Sequence, residues 1–167
     1  MKVAILADVH ANIFALKAVM EELDQKNVDT ILVVGDIVGY YYWPKETLDL
    51  LRSDQRVTCV KGNHEVNLIT AISDEKESQR LLKKYGSGYE VCKQFLNIDD
   101  VNWIDCLPNF KIIERGGDSF YLSHGDLKTL DTYIYPDAEP KILRKNLSDC
   151  TYTIFGHTHY PLLYRHK

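Results

Sequence analysis

The chain has 167 residues, with 24 acidic side chains against 20 Lys and Arg, a formal charge of −4, 45% hydrophobic and 26% charged residues. One domain of this size buries enough surface to fold without disulfides or a structural metal, and this composition excludes a fibrous or disordered chain. The acidic balance argues against a broad basic face for duplex nucleic acid, though not against a small nucleotide.

Val3 to Leu6 is a short apolar run that reads as a buried strand ending at Asp8. The apolar stretch before Asp8 is too short for a secretory signal, and no run reaches bilayer-spanning length, so the expectation is a cytoplasmic protein with no membrane partner. Asn12 is a candidate N-cap, and Ile13, Leu16, Val19, Met20 and Leu23 mark one face of the helix after it. Ile31 to Val34 is a second strand, ending at Gly35-Asp36. Pro44 suits the first turn of a helix carrying Leu48 and Leu51. Val57 to Val60 is a third strand, ending at Gly62-Asn63-His64. Strand–helix alternation with short connections predicts parallel strands.

Residues 66–106 change character and predict a helical insert broken at Gly86-Ser87-Gly88, with Trp103, Ile104 and Leu107 packing it onto the core. Phe110 to Ile113 and Ser119 to Leu122 flank Arg115-Gly116-Gly117-Asp118 as a hairpin. A helix over 138–147, a strand Tyr152 to Phe155 ending at Gly156-His157, and a last strand Leu162 to Tyr164 complete the prediction. The four cysteines, Cys59, Cys92, Cys106 and Cys150, show no metal or redox spacing and are expected to be reduced and mostly buried.

Five of the six histidines lie in short motifs at strand ends: Asp8-Val9-His10, Gly62-Asn63-His64-Glu65, His124-Gly125-Asp126 and Gly156-His157-Thr158-His159, with Gly35-Asp36-Ile37-Val38-Gly39 as the fifth motif. Imidazole, carboxylate and amide oxygen bind borderline divalent metals, and loops after parallel strands converge on one edge of a sheet. The pattern predicts a metal-activated hydrolase. His166 lies outside any motif and is expected at the surface.

Asp-x-His, Gly-Asp-x-x-Gly, Gly-Asn-His-Glu, His-Gly and Gly-His-Thr-His, in that order, resemble the calcineurin-like metallophosphoesterases, closest to the small prokaryotic phosphodiesterases. The resemblance implies an α/β fold of two packed mixed β-sheets flanked by helices, in four layers (α/β/β/α). It implies two divalent metal ions. Asp8, His10, Asp36 and His159 would hold the first, and Asp36, Asn63, His124 and His157 the second, with Asp36 bridging. His64 would be the acid/base that touches substrate. Relatives continue past the last motif through further strands, so the expectation is a single domain over 1–167 lacking the family's final strands. Two formal carboxylate charges under two dications leave the centre net positive, which attracts phosphate. A metal-activated hydroxide then attacks. Mn2+ is the first choice of metal, with Fe, Zn, Co or Ni as alternatives.

The expected substrate is a nucleotide or another small phosphate ester. A metal-bearing binding scaffold and a metal-dependent nuclease are the alternatives; His64 speaks against the first, and the lack of a basic track against the second. Tyr40-Tyr41-Tyr42-Trp43 reads either as a platform for a base or sugar or as packing under the next helix. Tyr133 and Tyr135 are candidate pocket residues. Glu65 reads as an orienter of His64 or an outer support of the metals, and Asp126 as such a support or solvated. Asp74 to Glu77 read as a solvated helix start, and Arg80, Lys83 and Lys84 as surface charge, with reach toward substrate phosphates as the alternative.

Overall fold

The structure, a computed structural model, describes residues 1–165. His166 lies outside them. The chain opens with strand–helix alternation: β1 (Val3–Leu6), α1 (Ile13–Gln25), β2 (Thr30–Val34), α2 (Pro44–Ser53) and β3 (Val57–Val60). Four helices follow, α3 (Asn63–Ser73), α4 (Glu75–Tyr85), α5 (Gly88–Phe95) and α6 (Ile98–Asp105). The hairpin β4 (Phe110–Arg115) and β5 (Asp118–Ser123), then α7 (Pro140–Lys145) and β6 (Tyr152–Ile154), complete the order.

The strands form two three-stranded sheets, β1-β2-β3 and β4-β5-β6. The first is parallel throughout, with Ile5 opposite Leu32 and Leu32 opposite Thr58. The second is mixed: β4 and β5 pair antiparallel with Ile113 opposite Phe120, and β6 joins β5 in parallel with Ile154 opposite Leu122. The expectation of two mixed sheets therefore holds for the second alone. Continuous strand–helix alternation leaves no hairpin that could introduce an antiparallel strand into the first.

All five residues of β2 are buried, because both faces of the central strand are covered. Successive side chains alternate faces. Ile31 and Val33 meet the helices, packing with Leu16, Met20, Leu48 and Leu68. Leu32 and Val34 point the other way and pack with Val60 against Ile113, Phe120, Leu122 and Ile154 of the second sheet. Ile104 is buried in the helix-side core, with Trp103 and Leu107 partly buried against it. On α1, Ile13, Leu16 and Met20 are buried, whereas Val19 on the expected face is 37% exposed.

Residues 161–165 carry no regular structure, so the strand expected over Leu162 to Tyr164 does not form. Pro161 removes a ladder donor at its start, and Leu163 is 80% exposed with no sheet face beneath it. All four cysteines are free; Cys59 and Cys92 are buried, Cys150 is intermediate and Cys106 is exposed at the end of α6. No helix among the described residues is long and apolar enough to cross a membrane.

Candidate metal centre

Every motif follows a strand: Asp8 and His10 come after β1, Asp36 after β2, Asn63 and His64 at the start of α3 after β3, His124 after β5, and His157 and His159 after β6. Backbone hydrogen bonds knit the turns together. The amides of Asp8, His10 and Ala11 donate to the carbonyls of Gly35, Asp36 and Ile37, and Gly156 donates to His124. Asp8, His10, Asp36, His157 and His159 all have φ between 51° and 70°. Non-glycine residues held left-handed cost on the order of 1 kcal/mol or more each and persist only where surrounding structure fixes them. At Gly62 the Asp36 carboxylate and amide pack so close that a side chain could not fit.

The donor atoms form overlapping groups. Asp8, His10 and His159 lie together: the Nε2 atoms of His10 and His159 are 3.2 Å apart, and His159 Nε2 is 3.4 Å from Asp8 Oδ1. Asp36, His124 and His157 form a second group, and His10, Asp36 and His64 form a third that joins the two. His124 Nε2 lies 3.0 Å from Asp36 Oδ2 and 3.1 Å from Asn63 Oδ1. Asp36 also faces the first group, with Oδ2 at 3.8 Å from His10 Nε2. All seven expected ligands are thus brought together, with Asp36 between the halves.

The outward-facing ring nitrogens are anchored. His10 Nδ1 donates to the Val38 carbonyl at 3.2 Å and His124 Nδ1 to the Val34 carbonyl at 2.7 Å. The Asp131 carbonyl is in reach of the His157 ring. Such bonds place a proton on the anchored nitrogen, so that the neutral ring offers its Nε2 to a cation. The Nε2 of His157 is buried with no hydrogen-bond partner. An orphaned buried nitrogen, two imidazole Nε2 atoms 3.2 Å apart and a carboxylate between the groups fit divalent ions.

Burial lowers the basicity of His10 and His157 against the pull of Asp36. Burial also opposes a charge on His124, but the hydrogen bond and charge of Asp36, with Val34 and Asp8 adding, raise it to about 9. Asp36 is correspondingly held below the usual carboxylate range: burial alone would raise it, and His124 and His64 outweigh that.

His64 is buried on the first turn of α3, and burial pushes it down to about 4. Its amide donates to Asp36 Oδ1 at 2.9 Å. Its Nδ1 points away from the ligand cluster, onto Gly39 and 2.7 Å from the Tyr89 hydroxyl. Glu65 does not orient that ring. Its fully buried carboxylate accepts from the amides of Asp36 (2.9 Å), Ile37 (2.8 Å), Val38 (3.1 Å) and Gly62 (2.7 Å), clamping the two loops. Burial and the Asp36 charge push its carboxyl up, and the amide donors oppose them. Asp126 caps its own turn, accepting from Lys128 and Thr129 at 2.7 Å.

The aromatic loop divides. Trp43 sits at the start of α2 edge-on to Phe14, while Tyr40, Tyr41 and Tyr42 are exposed. Tyr40 lies 4.6 Å from the His10 ring and 4.8 Å from the His64 ring. Tyr133 stacks on His157 at 3.9 Å and on Tyr135 at 5.5 Å. Tyr85 and Tyr89, from the helical insert, reach the His64 ring at 4.9 and 5.6 Å and escaped the sequence reading. Their only signal was their closeness to Gly86 and Gly88, where the chain turns back. Lys84 Nζ sits 4.6 Å over the Tyr85 ring, Arg80 pairs with Glu77, and Asp74 caps α4.

The profile of the calcineurin-like phosphoesterase superfamily domain matches residues 1–167. An uncharacterized protein of Methanocaldococcus jannaschii is 30% identical over 166 residues, 96% of this chain and 63% of that one. A metallophosphoesterase crystal structure from Sphaerobacter thermophilus is also 30% identical, with a TM-score of 0.73 over 95% of this chain and 61% of that one. A hypothetical protein from Pyrococcus horikoshii shares the fold at 19% identity and a TM-score of 0.69, over 86% of this chain and 63% of that one. The chain therefore spans somewhat less than two thirds of the relatives it matches. Over the whole of its length, it belongs to the calcineurin-like phosphoesterase superfamily.

Proposed function

We propose that the protein is a dinuclear metal-dependent phosphoesterase, acting as a phosphodiesterase on a nucleotide or another small phosphate ester. The observation that carries this reading is the position of Asp36, grouped with His124 and His157 and also 3.8 Å from His10 of the Asp8–His10–His159 group. Asp8, His10, Asp36 and His159 would hold one ion, and Asp36, Asn63, His124 and His157 the other, with Mn2+ our first choice. Two divalent ions so held supply Lewis acidity to phosphoryl oxygens and an acidified water as nucleophile.

The chain's own residues do the rest. Carbonyls of Val34 and Val38 orient His124 and His10, and Glu65 fixes the loop carrying Asp36. Asn63 adds a neutral oxygen, which keeps the centre positive toward an anionic ester. His64 faces the cleft without an anchoring carbonyl and serves as a donor to oxygens that gather charge as the P–O bond breaks. The cleft is about 330 Å³, and Tyr40, Tyr85, Tyr133 and Tyr160 ring the ligand cluster. Their faces suit a nucleobase, and their hydroxyls suit a ribose or phosphate oxygen.

Purified protein with Mn2+ is expected to hydrolyse bis-(p-nitrophenyl) phosphate. His64→Ala is expected to lower kcat by about 10²-fold or more while elemental analysis shows the metals retained. Metal-loaded wild-type protein inert toward phosphate mono-, di- and polyesters alike would overturn the proposal.

A further inference from the structure

The histidines around the cleft fall into two kinds by what meets their Nδ1 atoms. His10 and His124 point Nδ1 at main-chain carbonyls, which can only accept. A proton must therefore sit on Nδ1 of each. His64 alone points Nδ1 at a hydroxyl, that of Tyr89, at 2.7 Å. Tyr89 is 2% exposed, on α5, and the Asn67 side chain lies within hydrogen-bonding reach of its oxygen. With the Asn67 amide donating to that oxygen, the phenol proton is directed at His64 Nδ1. Gly39 lies so close to Nδ1 that a side chain there would collide with the ring, and turning the ring over would put Cδ2 in place of Nδ1 and lose the Tyr89 hydrogen bond.

We propose that Tyr89 is a positioning residue that holds neutral His64 in the Nε2–H tautomer. The consequence for catalysis rests on the phosphoesterase reading. An Nε2 carrying hydrogen is unsuited to a metal and suited to donate a hydrogen bond to a phosphoryl or leaving oxygen. The same five-membered ring thus serves as ligand at His10 and His124 and as substrate donor at His64, sorted by one hydroxyl from the helical insert. His64 then acts by hydrogen bonding and does not surrender its proton, since that would leave an imidazolate.

The test is long-range 1H–15N NMR on protein labelled at histidine nitrogens and loaded with diamagnetic Zn2+. His64, assigned by its loss in His64→Ala, is expected to show a protonated Nε2 and a bare Nδ1. A bare Nε2 on His64 in the wild type would overturn the proposal, whatever the variants do. Tyr89→Phe is expected to shift His64 toward a mixture of tautomers and to lower kcat about tenfold, with KM and metal content nearly unchanged. Added to His64→Ala, it is expected to cost nothing more; a full additional loss would also overturn the assignment. The loss in His64→Ala is expected to be similar for aryl and alkyl esters. A loss that climbs with the leaving group's pKa would mean proton transfer and would sink the donor role. Absence of turnover with every ester would remove the phosphoesterase reading and leave the tautomer to be judged by NMR alone.

Discussion

Asp36 carries more of the site than any other residue. One carboxylate oxygen accepts the His64 amide and the other faces His124 and His10, while its own amide is tied to Glu65. Its charge has a measurable consequence for His124. In metal-free protein the His124 ring faces acceptors at both nitrogens: Val34 at one, Asp36 and Asn63 at the other. That geometry requires both protons, in keeping with its rise to about 9. Metal can bind Nε2 only after the proton has left. Zn2+ or Mn2+ affinity is therefore expected to rise about tenfold per pH unit up to about 9, one proton being exchanged. Calorimetry in buffers of different ionisation enthalpy reads the released proton directly; a pH-independent affinity between 7 and 9 would contradict the pairing.

At the scale of elements, α3 links two strand ends. Its first turn carries Asn63 and His64 into the cleft, while Glu65 reaches back to the loop after β2. Removing that carboxylate strands four buried amides, each a cost of about 1–3 kcal/mol if unpaired. Glu65→Ala is expected to destabilise the metal-free protein by roughly 3 kcal/mol or more in urea unfolding. Glu65→Gln should recover only part of this, because an amide nitrogen then faces N–H donors. Much of this level was legible in the sequence. The expected runs marked all six strands that form, and a ligand motif after each strand but the first of the hairpin marked the cleft. Glu65 and Tyr89 were not legible in their roles. Their partners lie 29 and 25 residues away, and no periodicity encodes a contact made across a turn and two helices. The failed strand at Leu162 to Tyr164 has a simpler cause: apolar residues do not make a strand without a neighbour to pair with.

For the molecule as a whole, two sheets packed face to face bring five strand ends to one edge, and buried imidazoles there make stability depend on pH. His10, His64 and His157 titrate below their ordinary 6.5 because burial disfavours their charge, His64 falling to about 4. Between those values the unfolded chain takes up protons that the folded one refuses. Their contribution is complete above pH 6.5 and is lost as pH falls toward about 4. His124 works in the opposite sense: its contribution is complete below 6.5 and fades as pH rises through about 9. Metal-free protein is thus expected to be most stable near neutrality, with the thermal midpoint falling on both sides. A midpoint that stayed flat from pH 7 to 5 would contradict the burial of the three histidines.

Five of the seven donor residues sit in left-handed backbone that neighbouring loops enforce. The work of bending them is done when the chain folds, in the same cooperative step that docks the sheets. Loading an ion then asks for little rearrangement, so the ion's arrival rate should be limited by its own dehydration and not by any movement of the protein.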